Sequence, residues 1–122
     1  MTPEASFQSA VIDMAHLYGW RVVHFRKART KTGWITAVGA DGKGWLDLLL
    51  CHEKMGVVIA RELKVPPNKT TPEQDTWLRV LNACGIDARV WSTEDWTEIE
   101  TTLKTGIFNR QLLAPSGLGV IC

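Results

Sequence analysis

The chain has 122 residues, 45% of them hydrophobic and 22% charged, with a formal net charge of +1. That fits one domain of ordinary size with enough apolar side chains for a core. It excludes a globally basic surface, so any contact with a polyanion rests on local patches.

There is no apolar run of roughly 18 residues and no signal-peptide pattern at the N-terminus, so a soluble, cytoplasmic protein without membrane contact is expected. Three cysteines, Cys51, Cys84 and Cys122, lack CxxC spacing and read as free thiols in a reducing compartment. Six tryptophans are many for this length. Most should pack in the core, with one or two left to face nucleic acid.

Residues 3–18 carry Phe7, Ala10, Val11, Met14, Ala15 and Tyr18 at helical spacing, with Thr2 as cap, Pro3 in the first turn and Gly19 as stop. Glu4 and Gln8 lie one turn apart on this helix. Glu4 is compatible with a surface acid favoured by the helix dipole and with an acid aimed into a site.

Residues 20–26 read as a first strand. Residues 27–43 have no clean period, four glycines nearby and the basic residues Arg26, Lys27, Arg29 and Lys31. They read as a basic loop suited to phosphates. Trp34 in this loop fits equally a base-stacking residue and a loop anchor.

Residues 45–51 are an apolar strand holding one acid, Asp47. Residues 56–64 are a second, Gly-Val-Val-Ile-Ala-Arg-Glu-Leu-Lys, ending in charge. The short link between them predicts an antiparallel hairpin. Side chains alternate along a strand, so Glu62 and Lys64 share one face and Arg61 takes the other, where an acid on a helix would pair with it. Asp47 joins Glu62 and Lys64 only if paired positions sum to an odd number, with Asp47 opposite Glu62. That register is predicted.

Pro66, Pro67 and Asn68 mark a turn. Thr71-Pro72-Glu73-Gln74 is a capping-box helix start, and the helix should run to Cys84, with Gly85 as stop. Residues 86–91 read as a fourth strand. Ser92 or Thr93 should cap a last helix reaching Lys104. Residues 106–122 form an acid-free tail after a core of about 3–104. The expected class is α/β, in the order α-β-β-β-α-β-α, with a mixed four-stranded sheet flanked by helices.

Two carboxylates on one face resist ionising together unless a cation lies between them. Oxygen ligands without nearby His or Cys suit magnesium or manganese, and the Leu63 carbonyl could add another oxygen. Such an ion activates water and polarises a phosphoryl oxygen, while Lys64 orients the water or neutralises developing charge. The combination points to metal-dependent phosphodiester hydrolysis. Lys69 and Arg79 suit DNA backbone contacts or solvated surface. His16, His24 and His52 read as structural or exposed, although His24 on the first strand could approach the site.

In order, Gly44-Trp45-Leu46-Asp47, Glu62-Leu63-Lys64, Thr71 to Leu78, Cys84-Gly85-Ile86 and Val90-Trp91 resemble the PD-(D/E)xK nuclease superfamily. The similarity is to its virus-type replication-repair nuclease (VRR-NUC) branch and covers about residues 4–91. It implies a restriction-endonuclease-like core similar to Holliday junction resolvases. It also implies a small phage-like enzyme that cuts branched or flapped DNA, often as a homodimer. It assigns metal binding to Asp47 and Glu62, catalysis to Glu62 and Lys64, support of the site to Gln74, and completion of the metal shell to Glu4. Leu46 departs from the family pattern, which has proline before the acid. A catalytically weak DNA-binding module on the same fold, or an interaction protein whose charged strand end is paired internally, are the competing readings.

Overall fold

The computed structural model describes residues 2–25, 27–30, 33–36 and 39–107, with side chains at 27–30 and 33–36 excepted. Cys122 and almost all of the tail lie outside the described residues, as do Arg26 and Lys31. The elements are α1 (Pro3–Leu17), β1 (Arg21–His24), β2 (Lys27–Thr30), β3 (Gly33–Thr36), β4 (Leu48–His52), β5 (Val57–Lys64), α2 (Pro72–Ala83), β6 (Asp87–Ser92) and α3 (Trp96–Thr105).

The main sheet is four-stranded in the order β1-β4-β5-β6. β1, β4 and β5 pair antiparallel and β6 joins β5 in parallel across α2, which is the expected mixed sheet. The β4–β5 ladder sets Leu48 opposite Arg61 and Leu50 opposite Ile59. Continued by one residue, it puts Asp47 opposite Glu62, the predicted register that brings the charged ends to one face.

Alternation along the strands builds two cores. Phe7, Val11 and Ala15 of α1 and Ile99 and Leu103 of α3 pack with Leu48, Leu50, Ile59 and Trp91 on one face. Leu81 of α2 packs with Leu46, Ala60 and Ala88 on the other. Leu50, Ile59, Trp91, Ile99 and Leu103 are fully buried, and shortening any one leucine or isoleucine to alanine should cost about 2–5 kcal/mol.

Four expectations are corrected. Residues 27–43 are not loop throughout, because β2 and β3 form a separate antiparallel pair, with Arg29 opposite Trp34. Thr30, Ile35 and Thr36 are strand formers whose signal the surrounding glycines and charges hid. Second, β4 starts at Leu48, so Asp47 stands just before the strand. Its carboxylate takes the backbone N–H of Leu63 at 2.8 Å, which a continuing strand would have met with a carbonyl. Third, α3 is capped at Asp95, not at Ser92 or Thr93. Ser92 instead closes a turn, donating its backbone N–H to Asp95 Oδ2 at 2.7 Å. Finally, Arg61 pairs with an acid on a strand.

That pair lies on the sheet face away from the acids of interest. Arg61 is 1% exposed and meets Asp87 of β6 at 3.3 Å, with its guanidinium 4.6 Å from the ring centroid of Trp91. Burial pulls the Arg61 pKa down to about 10, against the attraction of Asp87, so it stays charged near neutrality. Burial pushes the Asp87 carboxyl up, but Arg61 and Arg89 outweigh it and hold it below its ordinary range. Arg89 also reaches Glu98 of α3 at 3.6 Å, which ties the helix to the sheet edge.

The five tryptophans with described side chains all pack. Trp20 donates to the Leu103 carbonyl at 2.8 Å, Trp45 stands edge-on to Trp77, and Trp96 stands edge-on to Phe7. Trp91 is buried and Trp77 donates to the Asp41 carbonyl at 3.1 Å. His52 is structural: its Nδ1 accepts from Met55 N at 3.1 Å, so its Nε2 carries the proton and donates to the Tyr18 carbonyl at 2.9 Å. His16 is exposed on the last turn of α1.

Candidate active site

The carboxyl end of β5 and the approach to β4 come together beside the N-terminal turns of α1 and α2. Three local devices hold them. Gly44 adopts φ +83° against the first turn of α2, so close that an added Cβ would lie 2.5 Å from Glu73 Cβ. Only glycine allows both that dihedral and that approach. The capping box of α2 is complete, with Thr71 Oγ1 accepting from Gln74 N at 3.2 Å and Gln74 Oε1 accepting from Thr71 N at 3.0 Å. The backbone N–H of Phe25 donates to the Asp47 carbonyl at 2.9 Å, adding the end of β1.

Glu62 is 1% exposed and its Oε2 meets two partners. Gln74 Nε2 donates to it at 2.9 Å, and Lys64 Nζ lies 3.3 Å away. A carboxylate this deep is tolerated because charge and hydrogen bonds compensate its lost hydration. Gln74, 4% exposed, thus caps its helix and binds Glu62 with the same amide. Asp47 is half-buried beside them, with Oδ2 engaged by Leu63 N.

A cleft of roughly 820 Å³ opens over these strand ends. Asp47, Leu63 and Lys64 form one wall and the first turns of α1, including Glu4 and Gln8, form another. Glu62 and Gln74 are not on its walls. Glu4 stands at the rim, where Asn68 Nδ2 donates to its Oε2 at 3.4 Å. Among the described residues no three His, Cys, Asp or Glu side chains stand close enough to hold a metal ion together, so Glu4 does not form one cluster with Asp47 and Glu62.

Lys69 is exposed on the cleft rim, whereas Arg79 is exposed along α2 and does not line the cleft. Lys27, Arg29 and Trp34 lie on the β2–β3 pair that follows β1, described by backbone alone. His24 lines the cleft, and its Nε2 lies 2.6 Å from Gln8 Nε2. The sequence signalled this pair only weakly, through Gln8 one turn beyond Glu4 and His24 at the end of the first strand. The Asn68 contact to Glu4 had no signal beyond a turn residue.

The chain matches no family model, no curated protein and no solved structure. The functional reading therefore rests on its own residues and on the motif resemblance.

Proposed function

We propose that the protein is a metal-dependent DNA endonuclease that hydrolyses phosphodiester bonds in branched or otherwise structured DNA, working as a homodimer. The observation that supports this reading is the Glu62–Lys64 pair at the end of β5, with Asp47 held against Leu63 between them and with Asp47 and Lys64 both opening onto one cleft.

The donor set suits magnesium or manganese. Such ions bind through one or two carboxylates and keep several waters, so Asp47 and Glu62 with the Leu63 carbonyl are sufficient donors, and Glu4 at the rim can act through water. When bound, the ion supplies Lewis acidity toward the phosphoryl oxygen and an activated water. Lys64 places a positive charge where the phosphoryl oxygens gain negative charge. Gln74 fixes the orientation of the Glu62 carboxylate. Lys69 at the rim and Lys27, Arg29 and Trp34 on the hairpin are the proposed backbone and base contacts, together with Arg26 and Lys31.

The Lys64–Glu62 contact also fits a strand end that is merely neutralised from within. The opening of Asp47 and Lys64 onto a cleft favours the catalytic reading, because an internal pair needs no access. The deciding experiment is incubation of purified protein with magnesium and a panel of branched, flapped and plain duplex DNAs. Cleavage is expected, and Glu62→Ala should abolish it. Cleavage that survives Glu62→Ala in contaminant-free protein rejects the proposal.

A further inference from the structure

The cleft extends past the acids to a region that phosphodiester chemistry does not need. Ala5, Leu63 and Val65 give it apolar surface, and Gln8 and His24 give it one polar pair. Lys69 stands at its mouth. Strand geometry separates this region from Asp47 and Glu62. Asp47 lies in register opposite Phe25 and Glu62, whereas His24 lies opposite Leu48, one residue on and therefore facing the α1 side. A nucleotide next to a phosphate held at Asp47 can therefore reach over the sheet end toward α1.

The chemistry there matches a nucleobase. A base has two apolar faces and an edge carrying donors and acceptors. The contact between Gln8 and His24 uses one polar atom of the glutamine amide, and whichever way that amide is turned, at least one donor and one acceptor capacity remain on it. The apolar side chains offer the faces a surface to lie against, as in sites that take bases out of the stack. The whole cleft, acids included, measures roughly 820 Å³, within the range of small-molecule pockets and too small to enclose duplex.

We propose that this part of the cleft is a subsite for one unpaired nucleotide next to the scissile phosphate, with Gln8 contacting its base edge and His24 holding the Gln8 amide in place. The proposal rests on the nuclease reading for the strand's entry and narrows the substrate class. The favoured DNA carries an unpaired nucleotide at the cut, as at a flap, gap or branch point, and a fully paired step must first open.

The test measures binding with chelator present, so no strand is cut. Wild-type protein is titrated with a short single-stranded oligonucleotide and with an abasic strand of the same length, read by fluorescence anisotropy. The base-bearing strand should bind about tenfold tighter, the effect of one stacked and hydrogen-bonded base. Gln8→Leu and, independently, His24→Leu should shrink that difference severalfold while keeping the abasic affinity. The wild-type Gln8 side-chain amide resonances should also move with the base-bearing strand and not with the abasic one, a readout that requires no variant. Equal affinity for the two strands, or amide resonances that ignore the bases, overturns the subsite. Base-blind binding with intact magnesium-dependent cleavage rejects the subsite alone, and base-dependent binding without cleavage of any DNA rejects the nuclease reading alone.

Discussion

Gln74 holds Glu62 and the start of α2 with a single amide: its Nε2 donates to Glu62 Oε2 at 2.9 Å and its Oε1 accepts from Thr71 N at 3.0 Å. Helix capping and acid positioning are therefore one interaction. Gln74→Ala should remove both. Loss of the Gln74 half of the capping box, with Thr71 still capping the helix, costs about 1 kcal/mol and loss of a donor to a buried carboxylate about 1–3 kcal/mol. Urea denaturation should show a drop within their combined range. The proposed cleavage should fall further than stability does, because Glu62 loses its orientation. Unchanged stability in Gln74→Ala would refute the joint role.

Gly44 makes a similar demand at the backbone. An alanine there meets Glu73 Cβ at 2.5 Å and Glu73 C at 2.6 Å, at φ +83°. The left-handed conformation alone costs about 1–3 kcal/mol for a residue with a Cβ. The clash adds to that and should push the approach to Asp47 away from α2. Gly44→Ala should therefore lower the denaturation midpoint and speed amide exchange at Leu63, whose N–H is held by Asp47. Protection of Leu63 equal to wild type would show that the segment shifts without disturbing the site.

The register of the central hairpin was legible only through its charged ends, because both strands are apolar on both faces and only one parity brings Asp47 to the face of Glu62 and Lys64. The capping box was legible because Thr, Pro and Gln act locally. The β2–β3 pair was not, since a short hairpin of mixed composition shows no period that sets it apart from a basic loop. The partner of Arg61 was missed for another reason. Alternation says which face a strand residue takes but not which neighbour on that face meets it, and here the parallel strand β6 supplied Asp87. The cleft itself was illegible, because it arises where α1 lies over strand ends distant in the chain.

The Arg61–Asp87 pair predicts an acid-sensitive core. The Asp87 carboxyl lies below its ordinary 3.8 in the folded state. A depressed acid contributes stability that is fully present above the ordinary value and is lost as pH falls through the folded one. Wild-type stability should therefore decline as pH drops below about 4. Asp87→Asn should flatten that portion of the decline while lowering stability at neutral pH. Arg61→Met strands a buried acid and should cost about 3–5 kcal/mol at neutral pH, less the share that Arg89 retains through its 3.0 Å contact. Replacing Arg61 and Asp87 together by apolar residues should cost less than Arg61→Met alone. Chemical denaturation across pH for the three variants checks the order.

Asp47 separates a structural role from a metal-binding one. Asn at this position still offers an oxygen to Leu63 N, so Asp47→Asn keeps the 2.8 Å contact in kind and loses only its charge assistance, about 1 kcal/mol. The fold should survive with a slightly lower midpoint. A cation bound between Asp47 and Glu62 stabilises the folded chain by mass action, about 2.7 kcal/mol when its concentration is 100 times Kd. Wild-type protein should therefore melt at higher temperature as magnesium or manganese is added, and Asp47→Asn should lose most of that increase. Sodium at matched ionic strength controls for screening, which acts on exposed charges without needing this carboxylate. An equal rise in wild type and Asp47→Asn would place the ion elsewhere, and Asp47 would then serve only to close the β4–β5 end.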